Sequence, residues 1–278
     1  LGLKSKEAIT EAKLKISQLL NCQSDEIIFT GGGTESINLA LKGVMNKVKD
    51  GHIITSATEH HAVLHTTDSL KKSGHSVSIL PVDAEGLIKL TDISKAIKNN
   101  TRLVSIMMAN NEIGVIQDIQ KIGALLERLN KTRLEKNLPK IYFHTDACQA
   151  SGVLDLDVKK LHVDLLTING SKAYGPKGVG ALYIKTGTII GPIIDGGGQE
   201  NNLRSGTENV PGIVGLATAL ELTNKSKTKE NARLTKLRDQ LIKGILKNIP
   251  KTILNGHPSK RLPNNVNISI LDVEGEAM

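Results

Sequence analysis

Lys172 stands in "NGSKAYGPKG" (169–178), where the apolar run 164–168 stops and Gly-Pro and a second glycine follow. A lysine is costly to bury and ordinarily keeps its ammonium in water. Held at a strand end among short residues and turn formers, it is placed to react, although the stretch alone reads equally as a surface turn. Other strand ends carry matching chemistry. "FTGGGTES" puts three glycines and Thr34 ahead of a helix, so free backbone N–H groups and a hydroxyl can cup a phosphate. Taken alone it is also a Gly-rich turn with an N-cap threonine, and no Gly-Lys-Ser/Thr follows to make it a nucleotide-binding loop. "TSATEHHAVLH" sets His60 and His61 in the first turn of a helix. His61 and His65 have the spacing of a metal pair, but no His-Glu-x-x-His and no third ligand accompany them, so no metal site is expected. "MANNEIG" supplies the amides of Asn110 and Asn111, and "FHTDACQA" ends in Asp146 with Gln149 three residues on. A carboxylate buried there needs a cation or strong donors.

One ligand satisfies all of these groups. Pyridoxal phosphate requires a lysine for its aldehyde, a carboxylate against its pyridine nitrogen, a cup for its phosphate and a flat group on its ring. Lys172, Asp146, the turn at Gly33 and Thr34, and His60 meet those four needs.

The elements that must position these residues alternate between strand and helix. Strands are predicted at 26–30, 52–56, 76–82, 103–109, 141–147, 164–168 and 180–185. Helices are predicted with Ile37, Leu41, Val44 and Val48 on one face, from Glu59 to about Lys72, over about 90–98, and with Ile119, Ile122, Leu126 and Leu129 on one face. Runs rich in Ile, Val and Leu between amphipathic helices imply an α/β fold with a mostly parallel sheet covered on both faces, whose ligands bind beyond the strand ends. After about Ser226 the character changes. A basic helix with the stripe Leu234, Leu237, Leu241, Ile245 and Ile249 leads to the alternating strand "NVNISI", with Val266, Ile268 and Ile270 on one side. The expected division is therefore 1–226 for the cofactor-binding domain and 227–278 for the start of a small second α/β domain.

Composition narrows the class. The chain has 278 residues, 39% of them hydrophobic and 23% charged, as in a soluble globular protein. No apolar run reaches the roughly 18 residues of a membrane span, and no signal peptide opens it, so a cytoplasmic location and no membrane partner are expected. The net charge of +8 owes much to lysines around the basic helix, and only five residues are aromatic (three Tyr and two Phe), so nucleic acid is not expected as a direct partner. Cys22 and Cys148 make neither a disulfide framework nor a zinc site and read as small packing residues.

The blocks "TGGGTESINLALKG", "TEHHAVLHT", "NNEIGVIQDI", "HTDACQASG", "NGSKAYGPKGVGALYIK" and "GGGQENNLRSGTENVPGIVGLATAL" together resemble the cysteine desulfurases of the NifS/IscS type. These form part of the class V aminotransferase group of pyridoxal phosphate enzymes with the type I transferase fold. The resemblance implies removal of sulfur from L-cysteine to give L-alanine, with the sulfur passed as an enzyme persulfide to an acceptor such as an iron–sulfur scaffold, or toward tRNA thiolation. It implies that Lys172 binds the cofactor aldehyde and moves protons at the substrate α-carbon. Asp146 pairs with the ring nitrogen, Gln149 donates to the ring's phenolic oxygen, and His60 stacks on the ring and serves as acid or base. Gly33 and Thr34 contact the phosphate, with Asn169 and Ser171 beside them. Asn111 lies beside the ring and the substrate, and Arg204 is a further substrate candidate. Thr207 reaches the phosphate of a neighbouring subunit, which implies a homodimer.

The sequence departs from the family in three respects. Asn169 stands where a serine or alanine is usual, and Ser171 where a histidine is usual. The family's N-terminal segment and the loop with the nucleophilic cysteine, along with the substrate-carboxylate arginine, are not found between Leu1 and Met278. The sequence thus reads as truncated at both ends, and the 278-residue piece is expected to be inactive as a desulfurase. Rival readings are selenocysteine lyase, kynureninase or an aminotransferase of the same fold, and a non-catalytic sulfur-transfer scaffold.

Overall fold

Seven apolar segments pair into one sheet in the computed structural model, which describes residues 2–275. The expectations attached to Leu1 and Met278 lie outside those residues. The strands are β1 (Ile27–Thr30), β2 (His52–Ser56), β3 (Ser76–Leu80), β4 (Thr101–Ser105), β5 (Tyr142–Asp146), β6 (Leu165–Asn169) and β7 (Gly180–Ile184), in the spatial order β1-β7-β6-β5-β4-β2-β3. All lateral pairs are parallel except those of β7, which runs antiparallel to β1 and β6. Ten residues join β6 to β7, too few for a crossover, so the chain must turn back on itself there.

Both faces of the sheet are covered, and this explains the near-continuous apolar runs. Ile27, Phe29, Ile54, Val104, Phe143, Leu166 and Tyr183 belong to one buried layer, with α1 (Gly2–Leu20), α4 (Leu90–Ala96), α5 (Ile119–Glu135) and the first part of α8 (Val210–Asn248). Ile28, Ile53, Leu103, Tyr142, Leu165 and Leu182 form the other layer with α2 (Gly33–Met45) and α3 (His61–Lys72). Two short helices, α6 (Val158–Leu161) and α7 (Gln199–Asn202), and the hairpin of β8 (Thr252–Leu254) with β9 (Ile268–Ile270) complete the elements.

Several boundaries differ from the sequence reading. Regular pairing of β4 ends at Ser105, not 109, yet the amides of Ile106 and Met108 still donate to the carbonyls of His144 and Asp146. The segment therefore tracks β5 as far as its acidic end. The helix predicted from Glu59 starts at His61, with His60 as its N-cap. The basic helix begins at Val210, so the expected domain boundary at 226/227 falls inside α8. Its leucine stripe is half open to solvent, with Leu237 and Leu241 exposed, and the buried side chain of that half is Arg238. Helix α1 packs along α8, where Lys15 pairs with Glu221 at 3.7 Å, and its Lys13 reaches Glu200 of α7 at 2.9 Å.

Candidate active site

The residues with reactive chemistry sit at the carboxyl ends of adjacent parallel strands, and their order across the sheet follows from the topology. Lys172 follows β6, Asp146 ends β5, Asn111 follows β4 and His60 follows β2. These strands are consecutive neighbours in the sheet, so the four side chains form a row. Gly33 and Thr34 follow β1, which lies beyond β7 from β6 and supplies the helix N-terminus at that end of the row. All six line one cavity, together with Gln149 and Asn169. Its apolar wall is formed by Ile37, Met107 and Ala109.

Each group is held by local structure. Gly32 caps α2 at φ +147°, a conformation that side chains disfavour, and the adjoining Gly33 packs where a Cβ would come within 2.8 Å of the Cys148 sulfur. The turn is braced from outside: Glu35 accepts the Gly31 amide at 3.0 Å and the Arg204 guanidinium at 2.8 Å. Asp146 is buried, and one of its oxygens accepts the Cys148 amide at 2.9 Å. No ion pair within the chain involves it among the described residues. His60 is exposed, and its Nδ1 accepts the Ala62 amide at 3.0 Å. The neutral ring therefore carries its proton on Nε2. Lys172 sits in the 3-10 turn Gly170–Ala173, exposed at the cavity.

Not every expected residue is in the cavity. Ser171 lies in an adjoining depression with the glycine turn and Lys177. Arg204 is tied to Glu35 and does not line the cavity, and Thr207, expected at the phosphate of a neighbouring subunit, is exposed. His61 and His65 stack on each other with centroids 5.3 Å apart, and no group of three metal-ligating side chains occurs among the described residues. A larger groove of about 600 Å³ between α4 and α5, lined by Lys95, Lys121 and Arg128, contains none of the groups described above.

Sequence reasoning missed Glu59. It is buried one residue before His60, and one carboxyl oxygen takes both the Ser56 hydroxyl at 2.7 Å and the Met107 amide at 2.9 Å, while Oε2 has no partner. Burial pushes its pKa up to about 8, and the nearby charge of Asp146 adds to the rise. The signal in the sequence was an acid directly before the site histidine, indistinguishable there from a first-turn helix glutamate. The two thiols are also raised. Burial, followed by the charge of Glu26, pushes Cys22 up to about 12, and burial with Asp146 beside it puts Cys148 well above the ordinary thiol range.

Comparison with known proteins places this geometry. The family model for aminotransferase class-V matches residues 1–278. The cysteine desulfurase IscS of Clostridium botulinum (strain Hall) is 50% identical over 279 residues, covering 99% of this chain and 68% of its own length. Among solved structures, a NifS-like protein superposes with a TM-score of 0.92 at 37% identity, over 99% of this chain and 73% of its own. SspA in complex with cysteine superposes with a TM-score of 0.81 at 36% identity, over 97% of this chain and 73% of its own.

Proposed function

The chain belongs to the class-V aminotransferase family, as a cysteine desulfurase of the NifS/IscS type, and on that premise we propose how its residues take sulfur from L-cysteine to leave L-alanine. The observation that carries this reading is the row Lys172, Asp146, Asn111 and His60 on four neighbouring strand ends, closed by the glycine turn of α2. A structural relative described in complex with cysteine supports the choice of substrate.

The residues present suit pyridoxal phosphate. Asp146 is a buried carboxylate without a cation of its own, and a protonated ring nitrogen would provide one. The side-chain-free turn at Gly32 and Gly33 leaves the first amides of α2 open to a phosphate, with Thr34 adding a hydroxyl. Lys172 is the one lysine at the described cavity and would take the aldehyde. When bound, the cofactor supplies a sink for the electron pair released as the substrate α-proton leaves.

The chain's own residues do the rest. Lys172 moves protons at the substrate Cα. Asp146 would keep the ring nitrogen protonated, and Gln149 would donate to the phenolic oxygen. His60 would pack on the ring and offer Nε2–H toward the substrate, beside the Asn111 amide. Asn169 and Ser171 border the phosphate end. In the sulfur step the substrate Cβ–S bond breaks, an S–S bond forms on an enzyme thiolate, and protonation at carbon completes alanine. With their pKa values raised, Cys22 and Cys148 are poor candidates for that thiolate, which we assign to another cysteine.

The same reading takes 1–226 as the cofactor-binding domain and 227–278 as part of a smaller one. It places Thr207 at the phosphate of a second subunit in a homodimer, and makes a protein of iron–sulfur cluster assembly the sulfur acceptor. It also places the enzyme in the cytoplasm; no helix among the described residues is long and apolar enough to cross a membrane. The test is alanine formation from L-cysteine by the full-length protein with pyridoxal phosphate and a reductant. Equal rates for wild type and Lys172→Ala would overturn the proposal.

A further inference from the structure

The loop that carries Asn111 is pinned on both sides, and the outer pins come from a distant part of the chain. An antiparallel bridge between Ala109 and Ile116 closes the loop. Inside it, the buried Asn110 accepts the amides of Glu112 and Ile113, both at 2.8 Å, and donates to the Thr58 carbonyl at 2.8 Å. Outside it, segment 255–267 runs alongside: Leu262 donates to the Gly114 carbonyl at 2.8 Å, and Ile116 to the Lys260 carbonyl at 2.9 Å.

Two side-chain amides then converge on one oxygen. Asn265 donates to the Glu112 carbonyl at 2.9 Å and Asn267 at 3.1 Å. The Glu112–Ile113 peptide is thereby fixed at both ends, its N–H by Asn110 and its C=O by Asn265 and Asn267. The Asn265 amide is itself oriented. Arg261, buried at 3% exposure, donates to Asn265 Oδ1 at 2.9 Å, which turns the NH₂ group toward Glu112. Arg261 also donates to the carbonyls of Asn255 and His257, and Arg238 of α8 holds the carbonyls of Arg261 and Leu262 at 3.0 and 3.1 Å. The close approach depends on Gly114, which has φ +71° and whose Cβ, if present, would run into the Asn265 amide.

We propose that Asn265 is a positioning residue for Asn111, setting from segment 255–267 the pose in which the Asn111 amide meets the substrate amino acid. This rests on the reading of Asn111 as a substrate contact. The side-chain amides of buried Asn110 and half-buried Asn265 and Asn267 hold the backbone that follows exposed Asn111, while the Asn111 side chain is left to face the cavity. A latch with no role beyond the fold has no need to orient that amide through a buried guanidinium.

The decisive variant is Asn265→Asp in the full-length holoenzyme. The carboxylate keeps the volume and the Arg261 contact but cannot donate to the Glu112 carbonyl. Two readouts apply: KM for L-cysteine, and the dissociation constant of L-alanine from spectral titration, which needs no turnover. Both should rise about tenfold, the effect of one lost hydrogen bond, with kcat, cofactor content and melting temperature close to wild type. Asn111→Ala should show the same defect, and Asn111→Ala/Asn265→Asp should be no worse than Asn111→Ala. If Asn265→Asp does not fold, Asn267→Asp removes the second donor to the same carbonyl and is read identically. Values within twofold of wild type in the folded variant, or additive effects in the double variant, overturn the latch. A wild type that binds L-alanine but makes none from L-cysteine would overturn the functional reading instead, and the titration would still decide the latch.

Discussion

Glu59 accepts the Met107 amide at 2.9 Å through the same oxygen that takes the Ser56 hydroxyl at 2.7 Å, and so joins the end of β2 to the extension of β4. His60 follows the first strand and Asn111 the second, so this buried carboxyl group, with the Asn110 bond to the Thr58 carbonyl, ties together the segments that carry two cavity residues. Its pKa of about 8 makes this join sensitive to pH.

The sign follows from linkage. Folded Glu59 keeps its proton up to about pH 8, whereas the unfolded chain releases it near the ordinary value of 4.5. Its contribution is therefore fully present below 4.5 and is lost as pH rises to about 8, at up to ~1.4 kcal/mol per pH unit. Denaturant titrations from pH 5 to 9 should show that decline in the wild type and a flatter curve in Glu59→Gln. Parallel curves would show that Glu59 is ionised in the folded protein.

His144 works in the opposite direction. It is buried in β5, bonded to Ser105 at 2.8 Å and Thr167 at 2.9 Å, and burial lowers its pKa to about 3. Its contribution is present above the ordinary 6.5 and is lost as pH falls toward 3. Acid unfolding should accordingly begin well above the carboxylate range, and His144→Gln should reduce the pH dependence between 6 and 4. An unchanged acid limb would rule out His144 as its source.

The Gly33 contact predicts a rescue. Gly33→Ala places a Cβ against the Cys148 sulfur and crowds the turn assigned to the phosphate. Pyridoxal phosphate affinity should fall at least about tenfold, a crowding cost within the usual range for overpacking. Cys148→Ala in the same protein should recover part of it. A double variant no better than Gly33→Ala would place the damage elsewhere, in the backbone of the turn.

Much of this site was legible because strand ends announce themselves. An apolar run that stops at a charged or amide side chain, as at Asp146 and Lys172, marks where the sheet meets solvent, and parallel topology gathers such points on one edge. The strand order across the sheet was not legible, since no local pattern tells β6 to lie beside β5. The antiparallel turn of β7 could have been inferred from its ten-residue connection. Glu59 was hidden because burial, not residue type, gives it its character. Arg204 shared a motif with site residues, yet it is engaged by Glu35 and does not line the cavity. The leucine stripe of α8 gave the right period, while the contact that buries that half of the helix belongs to Arg238, whose partners are carbonyls from residues 261 and 262.

Asp146→Ala tests the electrostatic part of the site. Without the buried carboxylate the ring nitrogen loses its proton and is a poor electron sink, so alanine formation should fall by about 100-fold or more while some cofactor stays bound. Wild-type turnover in that variant would reduce Asp146 to a structural acid whose whole role is to accept the hydrogen bond of the Cys148 amide.

The most direct measurement is the absorbance spectrum of the purified full-length protein with pyridoxal phosphate, recorded for wild type and Lys172→Ala alongside alanine release from L-cysteine. The wild type should be yellow and form alanine. Lys172→Ala should lose both the lysine-dependent band and turnover while retaining the fold. A variant that keeps the same band and the same rate would contradict the assignment of Lys172, and with it the row of strand-end residues as the catalytic centre.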